Sequence, residues 1–231
     1  MHSLSKHSCF LNLSVLVVVG LLSASPLQAQ FDKDFSTWQA LGFTFYEDDT
    51  WRIKAAAQTR WYNDSSFLAT WFVNPILEYK FHPNLDIGAT YLFEDVRAQS
   101  GDDYTRVHIF RLYLAPHWQI DDRISLSMRH LLALRAIESI DNQWVSRHRF
   151  SFNYKVANMG SLTGIGVDTE VFYNYTTNRL FENRFKPLKL SFRINKQTKL
   201  ELFYMFQTKR FGYDATWQTA YVFGQSLSYK F

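Results

Sequence analysis

Trp217-Gln218-Thr219-Ala220-Tyr221-Val222-Phe223-Gly224-Gln225-Ser226-Leu227-Ser228-Tyr229-Lys230-Phe231 closes the chain and decides its fold. Trp217, Thr219, Tyr221, Phe223, Leu227, Tyr229 and Phe231 share one face, and Gln218, Ala220, Val222, Gly224, Ser226, Ser228 and Lys230 share the other. A period of two places alternate side chains on opposite faces of a strand. The last residues of a soluble domain usually fray and gain nothing from a terminal aromatic. An amphipathic strand that ends on Phe231 is the ending of an outer-membrane β-barrel, and the reading works outward from there.

Ten more alternating segments precede it: Trp38–Tyr46, Trp51–Tyr62, Phe67–Phe81, Leu85–Asp95, Tyr104–Trp118, Ile124–Arg135, Trp144–Val156, Val167–Asn178, Arg184–Ile194 and Thr198–Phe211. Most are as long as the ~9–11 residues that a tilted membrane strand requires. Between them lie turn signals such as Glu47-Asp48-Asp49-Thr50, His82-Pro83-Asn84 and Asn195-Lys196-Gln197. Phe31–Ser36 reads as a lead-in, Arg179–Asn183 as a loop and Ala157–Gly166 as a turn region. Pro75 marks a bend or bulge in its strand, because proline removes a ladder donor. His130 falls on an apolar face and is the main blemish in the register.

Eleven candidates conflict with the even strand number of bacterial single-chain barrels, whose two termini share one side. Counting back from Phe231, the Trp38–Tyr46 segment runs the wrong way. The expectation is therefore an all-β, antiparallel transmembrane barrel of about 10–12 strands. Either Trp38–Tyr46 is not a full wall strand, or one strand has escaped the pattern.

The amino-terminal thirty residues have another task. Lys6 and His7, the apolar run Phe10 to Leu22, and the small polar segment Ser23 to Gln30 form the three parts of a secretory signal. Cleavage after Ala29 leaves residues 30–231 as one barrel domain. The run is short for a membrane helix, which needs about 20 residues. Cys9 is the only cysteine and is lost with the signal, so disulfide chemistry is excluded from the mature chain.

Aromatics make up 18% of the chain beside 20% charged residues. A barrel uses both, with aromatic girdles outside and a polar lining within. Trp38, Trp51, Trp61, Trp71, Trp118, Trp144 and Trp217 fall at or beside strand ends, where an indole suits a membrane interface. A soluble β-sandwich would use them as core. The net charge of +4 is too small for a nucleic-acid partner. The implied partners are outer-membrane lipid and the barrel-assembly machinery, with Tyr229 and Phe231 as the assembly signal.

Several later stretches recur in order: Arg129-His130-Leu131-Leu132-Ala133-Leu134-Arg135, Arg147-His148-Arg149-Phe150, Glu170-Val171-Phe172-Tyr173-Asn174, Glu201-Leu202-Phe203-Tyr204-Met205-Phe206-Gln207 and the ending Tyr229-Lys230-Phe231. With these the chain resembles DUF2490, a family of uncharacterised bacterial outer-membrane β-barrel proteins. The resemblance implies a small barrel in the outer membrane of the cell. It supplies no activity, so no functional residue is carried over.

With apolar faces turned to lipid, the inward set has an excess of eight positive charges. Arg129, Arg147, Arg149 and Arg193 are the leading lumen cations, with Glu170 and Glu201 among the acids that would pair with them. Two readings follow. The arginines pair and fill a closed lumen, or they line a narrow anion-preferring channel for small solutes, since basic linings favour anions. A barrel enzyme acting on outer-membrane lipid is the third class. It finds no support in the pattern: His148 and Ser151 are three apart in one strand and so face opposite sides, and a Ser–His pair needs both on one wall. Asp102, Asp103 and Asp214 read as loop residues. No histidine or carboxylate cluster has metal-ligand spacing, and no cofactor motif appears.

Overall fold

A computed structural model describes residues 34–97, 103–138, 140–210 and 216–231. The signal-peptide expectation for residues 1–29, and the loop residues Asp102 and Asp214, lie outside the described residues.

Eleven strands form one closed barrel: β1 (Phe35–Glu47), β2 (Trp51–Tyr62), β3 (Phe67–His82), β4 (Leu85–Arg97), β5 (Tyr104–Gln119), β6 (Ile124–Ile137), β7 (Gln143–Met159), β8 (Leu162–Asn174), β9 (Arg179–Arg193), β10 (Thr198–Lys209) and β11 (Gln218–Lys230). Each pairs antiparallel with its neighbour in sequence, except at the seam. There β1 runs parallel to β11, from Phe35 opposite Tyr221 to Thr44 opposite Lys230. The segment around Trp38 is therefore a full wall strand, and no twelfth strand is present among the described residues. An odd number closes because the seam pair is parallel, which frees the first strand from ending beside the last. The start of β1 consequently lies at the same end as the connections 63–66, 98–103, 138–142, 175–178 and 210–217, called here the loop end. The short connections 48–50, 83–84, 120–123, 160–161 and 194–197 and the carboxyl terminus lie at the turn end.

Local chemistry explains the turns. Asp48 Oδ1 accepts from the backbone N–H of Thr50 at 2.7 Å and of Trp51 at 2.6 Å, and Asp121 Oδ1 accepts from Arg123 and Ile124, both at 2.7 Å. Asn195 repeats the arrangement with Gln197 and Thr198. Such Asx turns mimic a backbone turn and reverse the chain in few residues. The bonds to the ionised form hold the Asp121 carboxyl below the usual carboxylate range. In Asp48 the Tyr46 hydroxyl contributes most, followed by the two backbone bonds. Gly160 occupies the 160–161 hairpin turn with φ +62°, a conformation that L side chains resist.

Side chains alternate as the pattern predicted. Leu41, Phe43, Ile53, Leu77, Leu112 and Leu188 point outward and are exposed, Leu112 to 67%. The inward faces hold the core, which lies inside the barrel in two clusters. One joins Phe72, Leu92, Val107, Ile109, Tyr113, Leu131 and Ala133, and the other joins Trp38, Phe203, Met205 and Val222. Trp38 thus belongs to the interior, where it is 4% exposed, and not to an outer girdle. It lies an odd number of residues from Leu41, Phe43 and Phe45, so a strand places it on the opposite face. Trp51, Trp118 and Trp144 do stand outward at strand ends.

Two further corrections concern boundaries. Residues 179–183 belong to β9 and not to a loop, and the turn region around 157–166 narrows to Gly160-Ser161. Pro187 sits at a bulge: Gly166 pairs with Lys189 but Asp168 with Lys186, so β9 carries an extra residue opposite β8. Proline is tolerated where a bulge interrupts the ladder. The consequence reaches the interior, because the extra residue turns both Lys186 and Lys189 inward.

At the seam, Gly224 lies in register with Trp38 on one side and Phe203 on the other. A Cβ at Gly224 would overlap the Phe203 ring. Gly224→Val should therefore destabilise the barrel by about 1–3 kcal/mol through overpacking. A lower urea midpoint of the heat-modifiable gel band is the measurement, and Phe203→Ala in the same chain should restore part of the loss.

Candidate functional site

Opposite charges inside the barrel are arranged in layers. Nearest the turn end, Glu47 meets Arg52 at 2.8 Å, Lys230 at 2.8 Å and Lys80 at 3.2 Å. Above it, Glu78 takes Lys54 at 2.7 Å, Arg52 at 2.9 Å and the Tyr113 hydroxyl, which donates at 2.6 Å. Tyr113 can lie there because it crosses Gly88, where any Cβ would overlap its ring. On the other wall Asp168 accepts from Lys189 at 2.7 Å with Lys186 at 3.7 Å, the pair that the Pro187 bulge brings together.

Glu170 on β8 is the central acid. Arg147 donates to it from a terminal nitrogen at 2.7 Å, with its Nε 2.6 Å from the other carboxylate oxygen, while Arg184 stands at 3.6 Å and Arg129 at 3.8 Å. A hydrogen bond between two charged groups is about twice as strong as one between neutral groups. Arg184 also bonds Glu182 at 2.6 Å, and the Gln207 amide donates to the same carboxylate oxygen at 2.6 Å. Two arginines lie against Trp38: the Arg60 guanidinium carbon is 4.3 Å from its ring centroid and that of Arg184 is 4.8 Å from it. A desolvated cation over an indole gains about 2 kcal/mol or more.

Toward the loop end the lumen opens into a cavity of about 980 Å³. Among the described residues seven basic side chains border it against four acidic ones, with Arg60, Arg111, Arg135, Arg147, Arg184 and Lys209 on its walls. Its lining comes from the loop-end parts of the strands. Tyr113, Phe203 and the Glu78 and Asp168 ion pairs lie closer to the turn end and do not border it.

The structure brings together three of the six lumen residues singled out from sequence, Arg129, Arg147 and Glu170. Arg149 faces inward directly across from both Arg129 and Glu170 in the strand register. Arg193 instead ends β9 at the turn end and is exposed, and Glu201 lies opposite Ser191 and Ser226. Arg184, Glu182 and Lys186 escaped the period-two pattern because the bulge reverses the inward parity of β9. Pro187 was the signal for it. Tyr229 and Phe231 stand outside, with their rings 4.9 Å apart, and Phe231 stacks on Phe45 at 5.6 Å across the seam.

His148 points outward and Ser151 is buried inside, on opposite faces of β7. The outer wall explains the His130 blemish. His130 Nδ1 lies 2.9 Å from His148 Nδ1, and His148 Nε2 lies 3.2 Å from Ser146 Oγ. Ser146 is 4% exposed beneath its neighbours, so this row reads as polar groups satisfying one another on an apolar wall.

Among curated proteins none matches the sequence. Among solved structures the chain is similar to the NanC porin in a rhombohedral crystal form, at 12% identity and a TM-score of 0.49, over 86% of this chain and 99% of that one. The family model described as "Protein of unknown function (DUF2490)" matches residues 35–218, and the chain belongs to that family.

Proposed function

We propose that the protein is an outer-membrane β-barrel whose lumen is shut by its own side chains and opens outward as a basic vestibule for small anionic solutes. The single observation behind this reading is the cavity of about 980 Å³, whose lining among the described residues has a surplus of cations and lies toward the loop end. On its turn side, Tyr113 over Gly88 and Phe203 over Gly224 occupy space that an open passage would need. Barrels near this size are filled by side chains, whereas broad aqueous channels take 16–18 strands.

The outward apolar faces support a lipid-spanning wall, since a closed barrel satisfies every backbone group without water. The loop end then faces the exterior, as longer loops do in such barrels. Catalysis has no part in this reading: the Ser146 hydroxyl is covered and the interior acids are bound by cations.

Wild-type protein in a planar bilayer should show no steady current. Tyr113→Ala combined with Phe203→Ala, still heat-modifiable, should conduct with a preference for anions. A wild-type barrel that conducts continuously would contradict the closed lumen.

The parallel seam puts the start of β1 at the loop end, which this reading turns to the exterior. A peptide tag inserted ahead of Asp34 should be labelled by antibody on intact cells, whereas one placed in the 195–197 turn should be labelled only after the outer membrane is breached.

Phe231 with Tyr229 is the assembly signal in this scheme. Deleting Phe231 should reduce insertion in cells several-fold, while refolding of the purified chain from urea into detergent proceeds. Equal insertion of the shortened chain would remove the signal role.

A further inference from the structure

One wall of the cavity is apolar, which a passage for simple hydrated anions would not require. Leu92 on β4, Ile109 on β5, Leu131 and Ala133 on β6 and Val145 on β7 border it, each no more than 5% exposed. They form a continuous surface: Leu92 pairs with Ile109, and Ala133 with Val145. Out of this surface rise two cations. Arg111 lies one inward step from Ile109, with Ala133 as its register partner, and Arg135 is the register partner of Ile109. The two arginines therefore stand on neighbouring strands, one diagonal step apart in the register.

Neither makes an ion pair among the described residues. Glu94, which borders the same cavity, has its carboxylate 3.8 Å from Arg60 instead. Elsewhere in the interior, Glu78, Asp168, Glu170 and Glu182 each hold at least one cation within 3 Å. The unpaired cations and the apolar wall thus coincide.

We propose that this wall is a binding site for an amphipathic anion, an alkyl or aryl carboxylate whose head lies between Arg111 and Arg135 and whose body lies along Leu92, Ile109, Leu131, Ala133 and Val145. The site rests on the reading of the cavity as a solute vestibule and names the class of solute. An inorganic anion would make no use of the apolar wall, and an acidic sugar would find no hydroxyl partners on it. The volume is at the upper end of the ~300–1,000 Å³ of small-molecule sites and is far more than a bare ion needs.

The test is equilibrium dialysis of the full barrel in nanodiscs of zwitterionic lipid, with empty nanodiscs as the blank. Decanoate should bind saturably, one per barrel, and at least tenfold more tightly than acetate or decanol. R111Q/R135Q, still heat-modifiable, should bind decanoate at least tenfold more weakly. L131N should weaken decanoate as well and leave acetate unchanged. Acetate binding as tightly as decanoate, saturable decanol binding of equal strength, or decanoate binding untouched by R111Q/R135Q would each overturn the proposal. The comparison of three probes on wild-type protein decides the matter even if a variant fails to fold. Failure of the closed-lumen reading shows instead as steady wild-type current, so the two are distinguishable.

Discussion

The parallel contact between β1 and β11 has to close a sheet that is otherwise antiparallel throughout. Parallel ladders have slanted hydrogen bonds and are slightly less stable per residue. An unclosed sheet would leave two exposed edges, each a template for pairing with another chain. In the barrel the seam is reinforced from both sides. Inside, Trp38 of β1 packs with Val222 of β11 and with Phe203 and Met205 of β10, and Gly224 clears the space for the Phe203 ring. Outside, Phe43 and Phe45 of β1 meet Phe231 beyond the end of β11, and the Phe231 N–H donates to the Thr44 carbonyl at 3.1 Å. The Phe231 ring and backbone are therefore part of the closure itself.

Closure also determines what the interior can hold. The inward rows supply too much side chain for an empty tube, and every buried acid is held by a cation. Removing one partner of a buried pair costs about 3–5 kcal/mol, because it strands the other charge. Layering solves this: Glu47 and Glu78 share Arg52, and Glu170 and Glu182 share Arg184. The Pro187 bulge is part of the solution, because without its extra residue Lys186 and Lys189 would face opposite sides and Asp168 would lose one of them.

Much of this was legible in the alternation. All eleven strands were found within a few residues, and the outward faces follow from period two, as does the inward placement of Arg129, Arg147 and Glu170. Three things were not legible, each for a physical reason. The direction of β1 depends on its partner, and a strand pattern carries no sign of whether its neighbour runs parallel. Arg184 and Glu182 were hidden because one bulged residue reverses every side chain beyond it. Which arginine meets which acid depends on stagger between strands, so Arg193 and Glu201, inward by parity, stand away from the cluster that Arg147 and Glu170 form.

The same accounting of charge gives Arg111 and Arg135 their meaning. The buried acids come from β3, β4, β8 and β9, as Glu78, Glu94, Asp168, Glu170 and Glu182. On β5 and β6 the inward rows between Val107 and Tyr113 and between Leu131 and Arg135 contain no acid. Leu or Gln at positions 111 and 135 would fill the space without placing like charges side by side in a poorly hydrated wall. A structural role would favour such residues, since apolar replacements of buried charges are often neutral or stabilising. Two cations held in an apolar surface, on an open cavity and without a carboxylate of their own, are arranged for a charge that arrives from outside the chain.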